Sequence, residues 1–373
     1  MNRKQVMSKV LADDKLLKLS PSMIGGAERP AIRWFSTGNL ALDWCISDKI
    51  IGGGLPLGRV VELFGPPSSG KSLIVNKIMG GVQAADGIAL YDDVEVSRDE
   101  EFMQAMGCNT AKDALMTASN KTVQQHFRWI LATLEHIRSA KFDGPIVAIL
   151  DSLAALSTEH EVETGLDKVD MSRAKVIKAA MRLAGGEFND RDALYIVNNH
   201  TIANMGYRGK GKAPADSPGG GGVKFHASVR IELQVRGKIM DDNGFCSGVM
   251  VKAIVVKNKL TIPFRSCEFS LDFKKGVSKY DGIFPILVGS GVIIHAGVGW
   301  YTFPGDDKKM REKDILPLAL EKLSSKDDCI PRTPLVVEGP IGDQGTGAPG
   351  HAATTEAPVA QPGPSRTPQI GAE

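Results

Sequence analysis

The sequence has no cysteine pattern of the kind that builds a disulfide framework or a zinc site. Its five cysteines are odd in number, scattered along 373 residues and without a CxxC pair. Secreted disulfide-rich domains and zinc modules both need paired, closely spaced cysteines, so neither class fits this chain. We therefore expect the protein to work in a reducing compartment, the cytoplasm.

Long hydrophobic runs are also missing. No apolar stretch approaches the length of a membrane span. The charged residues Lys9, Asp13 and Lys15 interrupt the N-terminal region in which a signal peptide would need an apolar core. The sequence therefore predicts a soluble protein with no membrane partner.

An excess of charge of one sign is absent too. The 45 lysine and arginine residues are nearly balanced by 43 aspartate and glutamate residues, which leaves a formal net charge of +2. A globally positive field is therefore excluded. Any binding of nucleic acid has to come from a local basic patch.

What the chain does contain is an alternation of strand and helix patterns over about residues 35–273. Short apolar runs such as residues 146–150 are typical of buried strands, and the apolar spacing over residues 127–137 is typical of one helix face. This alternation predicts an α/β fold with a mostly parallel twisted sheet and helices on both faces. Residues 229–235 and 269–273 alternate apolar with polar side chains, which predicts half-solvated strands added to the sheet in antiparallel orientation.

A phosphate-binding loop follows the predicted strand at residues 60–64. Residues 65–72 read GPPSSGKS and fit the pattern GxxxxGK[ST], between a strand and a helix as that motif requires. Backbone N–H groups and the helix N-terminus can cradle phosphates, while Lys71 contacts the β- and γ-phosphates and the Ser72 hydroxyl ligates Mg²⁺. The motif predicts ATP and Mg²⁺ as cofactors, and its predicted ATP-binding residues are Gly65, Pro66, Ser68, Ser69, Gly70, Lys71 and Ser72.

Two carboxylates stand where parallel strands are predicted to end. Asp151 ends the apolar strand that begins at residue 146 and would hold Mg²⁺ from the side opposite the phosphates. Glu95 follows the strand at residues 87–91, at the carboxyl edge where open α/β sheets bind ligands. It can orient the water that attacks the γ-phosphate. The alternative is a solvated acidic turn, because several further acidic residues crowd this segment: Asp92, Asp93, Asp99, Glu100 and Glu101.

Beyond these sites, the sequence resembles the RecA recombinase family over roughly residues 34–303. The matching strings are STGNLALD at 36–43, GGLPLGR at 53–59, DSLAAL at 151–156, VKFHASVR at 223–230 and VKNK at 256–259. The resemblance implies a RecA-type P-loop NTPase core. It also implies a DNA-dependent ATPase that forms filaments on single-stranded DNA and exchanges strands with homologous double-stranded DNA in recombination and repair.

The resemblance also assigns roles to individual residues. Glu95 aligns with the family's catalytic glutamate, and Lys257 and Lys259 with the pair that reaches the γ-phosphate of the neighbouring subunit. Phe102 and Phe273 stand where bacterial RecA places tyrosines against the adenine; phenylalanine keeps the stacking face.

His200 replaces a glutamine that senses the γ-phosphate in bacterial RecA. A histidine can donate the same hydrogen bond, and the alternative is a histidine satisfied within the core. Residues 199–201 (NHT) and 171–175 (MSRAK) resemble the UvsX strand-exchange proteins of bacteriophages more than bacterial RecA. For a phage-encoded protein, the compartment would be the cytoplasm of the host cell.

Two segments correspond to the DNA-binding loops of the family. Residues 161–170 match the first loop, with Arg173 just after it as a phosphate contact. Residues 201–222 match the second, in which basic side chains can neutralise phosphates and apolar ones can stack on bases. The predicted DNA-binding residues are Arg173, Ile202, Met205, Tyr207, Arg208, Lys210, Lys212, Gly220 and Gly221.

The resemblance and the composition together divide the chain into four parts. We expect an N-terminal oligomerisation segment with a short helix at residues 1–33 and a RecA-like ATPase core with DNA-binding loops at 34–277. A small C-terminal domain follows at 278–328. A tail rich in proline, glycine and alanine, which we expect to be disordered, spans 329–373. Partners of such a protein would include a loader and a single-strand-binding protein.

Other functions on the same fold stay open at this point. A hexameric helicase or a clock-type ATPase would supply an arginine finger, and helicases a separate N-terminal domain, whereas this chain offers Lys257 and Lys259. A repair ATPase of the RadA/Sms type would carry an N-terminal zinc motif. A protein that coats DNA without hydrolysing ATP would not need Lys71, Glu95 and Asp151 together.

Overall fold

A computed structural model describes residues 31–111, 113–165, 172–201, 217 and 221–325, together with Gln5 and Lys9. The helix predicted in the N-terminal segment, the C-terminal tail and most of the second predicted DNA-binding loop lie outside these residues. The strands in chain order are β1 (Trp34–Phe35), β2 (Leu55–Pro56), β3 (Val60–Gly65), β4 (Ile88–Asp93), β5 (Leu115–Ala118), β6 (Ile146–Asp151), β7 (Leu194–His200), β8 (Val229–Met240), β9 (Cys246–Asn258), β10 (Ser266–Asp272), β11 (Gly276–Val277), β12 (Ile294–Gly297) and β13 (Trp300–Thr302).

Helices alternate with these strands through most of the described chain. In chain order they are α1 (Leu40–Ser47), α2 (Lys71–Ala84), α3 (Glu100–Ala105), α4 (Val123–Ser139), α5 (Glu159–Thr164), α6 (Arg173–Asp190), α7 (Gly221–His226), α8 (Ile283–Gly289) and α9 (Glu312–Ser324). A 3₁₀ turn, Leu153–Ala155, follows β6. Among the described residues, none of the helices is both long and apolar enough to cross a bilayer.

Nine strands form one sheet in the order β11-β10-β9-β8-β3-β7-β6-β4-β5. The strands from β8 through β3, β7, β6 and β4 to β5 are parallel, while β9, β10 and β11 extend the sheet in antiparallel pairing. The predicted mostly parallel sheet with an antiparallel extension is confirmed. One detail differs: β8 was predicted to be antiparallel, yet it pairs in parallel with β3 and begins the antiparallel part only through β9.

Burial follows from the layers on the two faces of the sheet. Strands β3, β6 and all but the last residue of β7 are buried throughout, because helices cover both sides. One core packs α1 and α2 against one face, and a second core packs α4 and α6 against the other. The prediction of helices on both faces is confirmed. Strand β8 alternates buried and half-buried side chains over its first half, as its sequence pattern predicted.

Residues beyond β11 continue the first of these cores. Helix α8 buries Ile283 and Leu287 there, and α9 adds Ile315 and Ala319. The short antiparallel pair β12–β13 lies between these two helices in the chain. The described part of the predicted C-terminal domain therefore shares its apolar interior with the main sheet.

Candidate functional site

The carboxyl ends of four parallel strands bring the predicted catalytic residues to one edge of the sheet. Gly65 at the end of β3 is in register with His200 at the end of β7, and Asp93 of β4 is in register with Asp151 of β6. The N–H of Val94 donates to the Asp151 carbonyl at 2.8 Å, which carries this pairing past the end of β4. We call this region the carboxyl edge.

The phosphate loop turns between β3 and α2 through left-handed backbone conformations. Ser68 has φ 59° and Gly70 has φ 84°. A Cβ atom on Gly70 would lie 2.0 Å from Leu271 Cδ1, so both the dihedral angle and the packing require glycine here. Helix α2 begins at Lys71, directly after this turn, so its free N–H groups face the loop. The loop therefore has the form of an anion-binding helix start.

Lys71 is held at the mouth of this loop. Its ammonium group donates to the carbonyls of Gly65 (3.1 Å) and Pro66 (3.0 Å), and the side chain is buried. Burial lowers the pKa of Lys71, whereas the negative charges of Asp151 and Glu95 act in the opposite direction. Lys71 therefore lies close enough to both carboxylates for their charges to interact with its own.

Asp151 and Ser72 form a pair of oxygen ligands that fits Mg²⁺. The Ser72 hydroxyl and the buried Tyr91 hydroxyl both donate to Oδ2 of Asp151, each at 3.2 Å. Burial raises the pKa of Asp151, the nearby Glu95 charge adds to this, and the two hydroxyl hydrogen bonds oppose it. One carboxylate and one hydroxyl are the ligands expected for Mg²⁺ that keeps water and phosphate oxygens in its remaining positions. Tyr91 was not predicted as part of the site.

Glu95 lies beside this pair and is fixed by two hydrogen bonds. Its Oε1 accepts from the Ser152 hydroxyl and from His200 Nε2, the latter at 2.9 Å. Although desolvation favours the neutral acid, these hydrogen bonds, the His200 interaction and the Lys71 charge hold the pKa of Glu95 below its ordinary value. The carboxylate is therefore ionised at neutral pH, so Nε2 of His200 carries the proton and donates it.

Hydrogen bonds to Asp93, the last residue of β4, hold the turn that carries Glu95. The buried carboxylate of Asp93 accepts from the backbone N–H groups of Ser97 (3.1 Å) and Arg98 (2.9 Å) and so closes residues 94–96 into a tight turn. Asp92 and Asp93 are both buried, so a solvated acidic turn does not describe these two residues. The side chain of Glu95 itself keeps 34% of its surface exposed, which leaves it accessible from the carboxyl edge.

The two predicted adenine contacts lie on separate elements. Phe102 lies on α3 and is partly buried against the larger core. Phe273 directly follows β10, where its N–H donates to the Ser247 carbonyl at 2.9 Å, and it is 38% exposed. An exposed aromatic face can stack on a base, so the prediction for Phe273 is compatible with its position.

Lys257 and Lys259 lie away from the carboxyl edge. Nζ of Lys257 donates to the carbonyls of Lys224 and Phe225, and Nζ of Lys259 donates to the Phe225 carbonyl at 3.0 Å. Both ammonium groups thus bind the last turn of α7, where the helix dipole is negative. Burial, Lys259 and Arg230 lower the pKa of Lys257 to about 8.

A cluster of positive charge surrounds these lysines. The pKa of His226 is lowered by burial and then by Lys259, Arg182, Lys178 and Lys257. Lys178 and Arg182 are one turn apart on the exposed side of α6, which packs against α7. Sequence reasoning did not single out Lys178, Arg182 or His226, although the i, i+4 spacing of the first two is a readable signal.

The predicted DNA-binding residues are described only in part. The Arg173 guanidinium donates to the backbone carbonyls of Leu153 (3.3 Å) and Ala154 (2.8 Å) in the 3₁₀ turn after β6. The ends of the two predicted loops are helical, because residues 161–164 belong to α5 and Gly221 is the first residue of α7. The remaining predicted contacts lie outside the described residues: Ile202, Met205, Tyr207, Arg208, Lys210, Lys212 and Gly220.

Comparisons of the sequence with a family profile and with individual proteins agree on one family. The sequence profile of the RecA N-terminal domain matches residues 6–278. The chain is 31% identical to the RecA protein of Corynebacterium efficiens over 284 residues, which is 76% of this chain and 69% of that protein. It is also 31% identical to the RecA protein of Rhodococcus jostii over 317 residues, which is 85% of this chain and 87% of that protein.

Proposed function

The chain belongs to the RecA family, and from that premise we propose that it is an ATP-dependent DNA strand-exchange recombinase. It would assemble as a filament on single-stranded DNA and exchange strands with homologous double-stranded DNA. The observation that carries this proposal is the convergence of Lys71, Asp151 and Glu95 at the carboxyl edge, with His200 hydrogen-bonded to Glu95.

ATP hydrolysis is the chemistry that this edge supports. The backbone N–H groups at the start of α2 and the Lys71 ammonium would hold the β- and γ-phosphates, and Phe102 and Phe273 would contact the adenine. Ser72 and Asp151 would hold Mg²⁺, which neutralises charge on the phosphate oxygens during transfer. The remaining cradle would come from Gly65, Pro66, Ser68, Ser69 and Gly70.

Glu95 would orient the attacking water and accept its proton. Its lowered pKa keeps it ionised at neutral pH, and its exposed fraction faces the edge where the γ-phosphate would lie. His200 would sense the γ-phosphate, because Nε2 can donate either to Glu95 or to a phosphate oxygen. His200 also ends β7, directly before the second predicted DNA-binding loop, so exchanging its hydrogen bond would link nucleotide state to that loop.

Lys257 and Lys259 would complete the active site of a neighbouring subunit. Strand register places Lys257 level with Arg230, and Arg230 level with Glu62. The N–H of Lys259 donates to the Ser228 carbonyl, and the N–H of Ser228 donates to the Val60 carbonyl. Both lysines therefore lie toward the amino ends of the parallel strands, about 10 to 16 Å along the strand from Gly65. That position favours a phosphate bound by another copy of the chain.

The DNA-binding surface would combine the two predicted loops with the basic side of α6. Lys178 and Arg182 lie on the same helix as Arg173 and supply the local positive patch that a net charge of +2 requires. Loop residues from Ile202 to Gly221 would contact phosphates and bases as their composition predicts. Arg173 would either stabilise the turn after β6, whose carbonyls it binds, or leave those carbonyls and bind a DNA phosphate instead.

We further propose that the protein is a recombinase of the UvsX type, which bacteriophages encode. The support is the resemblance of residues 199–201 and 171–175 to the UvsX sequences. A histidine at position 200, which donates a hydrogen bond to Glu95, is part of this resemblance. The compartment would then be the cytoplasm of the host cell. A loader and a single-strand-binding protein would be its partners on DNA.

The test compares ATP hydrolysis with and without single-stranded oligo(dT), followed by electron microscopy of the same mixtures. Wild-type protein should show DNA-stimulated hydrolysis and helical filaments. The Lys71→Ala variant should lose hydrolysis and strand exchange while keeping its thermal midpoint, because it loses the phosphate contact and retains the fold. Lys49→Ala, an exposed lysine elsewhere, is the matched control.

Three results would contradict this proposal. Full activity of Lys71→Ala would refute the phosphate-loop assignment. Closed rings that unwind duplex DNA would indicate a helicase of the same fold. Filaments on DNA without any hydrolysis by the wild type would indicate a protein that only coats DNA.

A further inference from the structure

We propose that His126 is a positioning residue for DNA-dependent ATP hydrolysis, because it fixes α4, which contacts the helix at the start of the first predicted DNA-binding loop, to the two strands that lead to Glu95 and His200. This role rests on the proposed function. It concerns a buried hydrogen-bond network that lies on the opposite face of the sheet from α2.

The centre of the network consists of three fully buried polar side chains, one on each of three elements. His126 of α4 contacts Asp92 Oδ2 through Nδ1 at 2.6 Å and the Tyr195 hydroxyl through Nε2 at 2.8 Å. Asn120 donates to Asp92 through its backbone N–H (2.9 Å) and its side-chain amide (2.7 Å). None of the Asp92, His126 and Tyr195 side chains is exposed to solvent. Such a network is rigid because every member has a partner.

The proton positions follow from the partners. Burial opposes the charged form of Asp92, yet hydrogen bonds from His126 and Asn120 hold its pKa below the ordinary value, so the group is a carboxylate that only accepts. Nδ1 of His126 therefore donates to Asp92. The Tyr195 ring stacks on Phe188 with centroids 4.7 Å apart, and its hydroxyl donates to Nε2 if the imidazole is neutral. In this arrangement no polar hydrogen in the triad is left without an acceptor.

One end of the network leads to the catalytic carboxylate and its histidine. Asp92 and Asp93 are the last two residues of β4, and Asp93 closes the turn that presents Glu95. Tyr195 lies on β7, which ends at His200. His126 therefore bridges β4 and β7 across the intervening strand β6, below the point where Glu95 and His200 meet.

The other end leads to α5, at the start of the first predicted DNA-binding loop. Backbone hydrogen bonds join Val123 to Ser157 (2.9 Å) and Ser157 to Lys121 (3.0 Å), on either side of the Thr122 N-cap of α4. Arg128 of α4 forms a two-point ion pair with Glu159, the first residue of α5, with distances of 2.6 and 3.2 Å. The first turns of α4 thus contact α5 on one side and the Asp92 network on the other.

This geometry gives a physical route between the loop and the carboxyl edge. A displacement of α5 by DNA acts on Arg128 and on the segment around Thr122, and α4 transfers it to Asp92 and Tyr195 through His126. Packed helices and fully bonded polar networks move as units, so β4 and β7 would shift together. The expected consequence is that Glu95 and His200 reach their productive positions only when α5 has engaged DNA.

The test breaks the surface end of the route, where substitution cannot unfold the protein. Arg128 keeps 70% of its side chain exposed, so its ion pair contributes little to stability. Arg128→Ala and Glu159→Gln should each lower the ratio of DNA-stimulated to basal hydrolysis by about fivefold or more. Basal hydrolysis and the Kd for oligo(dT) should stay within about twofold of the wild-type values. The thermal midpoint should stay unchanged. Because the two variants alter the net charge in opposite directions, a shared effect identifies the contact.

Three further variants sharpen the result. The exchanged pair Arg128→Glu with Glu159→Arg should restore the stimulation. Tyr195→Phe should lower it from the buried end, and combined with Arg128→Ala it should cost no more than either change alone, as expected for two breaks in one route. Arg236→Ala, which removes the exposed contact with Glu268, is the matched control and should leave the ratio unchanged.

Two outcomes would overturn the role of His126, and a third would overturn its premise. An unchanged stimulation ratio in both single variants and in Tyr195→Phe, in a wild-type background that is clearly stimulated, would exclude the route through α4 and His126. If the stimulation ratio falls only in proportion to a loss of DNA affinity or thermal stability, the ion pair between Arg128 and Glu159 has a structural role alone. Wild-type protein that hydrolyses ATP equally with and without oligo(dT) would contradict the proposed function itself.

Discussion

The Glu95 carboxylate depends on neighbours from three other strands for its charge and its direction. Ser152 follows β6, His200 ends β7, and Lys71 follows β3, yet all three interact with this one side chain. A carboxylate that is ionised and held by donors is ready to accept a proton, but it can do so only if one of its oxygens stays free for water. Oε1 accepts both hydrogen bonds, so in the proposed mechanism Oε2 would be the oxygen that accepts from the attacking water.

We therefore predict that Glu95→Gln separates ATP binding from hydrolysis. The amide keeps the shape of the side chain but cannot accept the proton, so turnover should fall by about 10²-fold or more while ATP still binds and filaments become long-lived. Turnover can be measured under saturating ATP and oligo(dT), and binding with a fluorescent ATP analogue. Glu101→Gln, an exposed carboxylate on α3, is the control. Turnover of Glu95→Gln within about tenfold of the wild type would remove Glu95 from the chemistry.

Single residues differ in how far the sequence could predict them. Lys71 and Ser72 lie in one contiguous motif, and Asp151 ends an apolar strand, so local patterns were enough to predict that they lie together at the carboxyl edge. The role of His200 needed the family resemblance, and its contact with Glu95 was not predicted, because nothing local relates the two positions. Asp92 was placed in an acidic segment and its burial was missed, since its partners Asn120 and His126 come from another part of the chain and only the sheet topology assembles them.

At the scale of elements, the phosphate loop shows that backbone geometry restricts sequence more strongly than side-chain chemistry does. Gly70 has φ 84° and stands where a Cβ atom would meet Leu271, a fully buried residue of β10. An alanine there would adopt a left-handed conformation at a cost of about 1–2 kcal/mol and would overpack the core by about another 1–3 kcal/mol. The N–H groups at the start of α2 would also turn away from the phosphates.

We predict that Gly70→Ala destabilises the fold by about 2 kcal/mol or more and abolishes ATP binding. Gly185→Ala is the matched control, because Gly185 lies within α6 and its Cβ position has no neighbour within 4 Å. That change should stabilise the protein by about 0.5–1 kcal/mol through helix propensity. Urea unfolding followed by circular dichroism measures both free energies. Equal stability of the two variants would contradict the requirement for glycine at position 70.

Element boundaries and pairing were predictable to different degrees. Buried parallel strands read as short apolar runs, and β3, β4 and β6 appear close to where the runs predicted them. The direction of strand β8 was not readable from its pattern, because alternation indicates that one face is half-solvated and carries no information on strand direction. Its partners are set by the return of the chain through α7 to the amino end of β3, a long-range feature that no local pattern contains.

At the scale of the whole molecule, the two ends of the parallel strands carry different groups of functional side chains. The carboxyl edge holds the phosphate loop and Glu95, while Lys257 and Lys259 lie toward the amino ends and bind the carbonyls of α7. Their surroundings are positively charged, and the pKa of Lys257 is lowered to about 8 by burial and by the neighbouring cations. An anion placed there would relieve this repulsion. In the proposed filament, the γ-phosphate held by an adjacent copy would be that anion.

The last prediction tests that arrangement by mixing two inactive proteins. A Lys257→Ala/Lys259→Ala variant should bind ATP through its own intact phosphate loop but lose DNA-stimulated hydrolysis, because no cation reaches the γ-phosphate from the neighbour. Lys71→Ala lacks the phosphate contact but keeps both lysines. Where the two alternate in the right order along a filament, one complete composite site forms, so the mixture should regain part of the DNA-dependent ATPase although neither parent is active. Lys238→Ala/Lys252→Ala, which removes two lysines elsewhere on β8 and β9, is the control for loss of charge and should remain active alone. No recovery at any ratio, in filaments shown to contain both proteins, would place the two lysines outside the shared site.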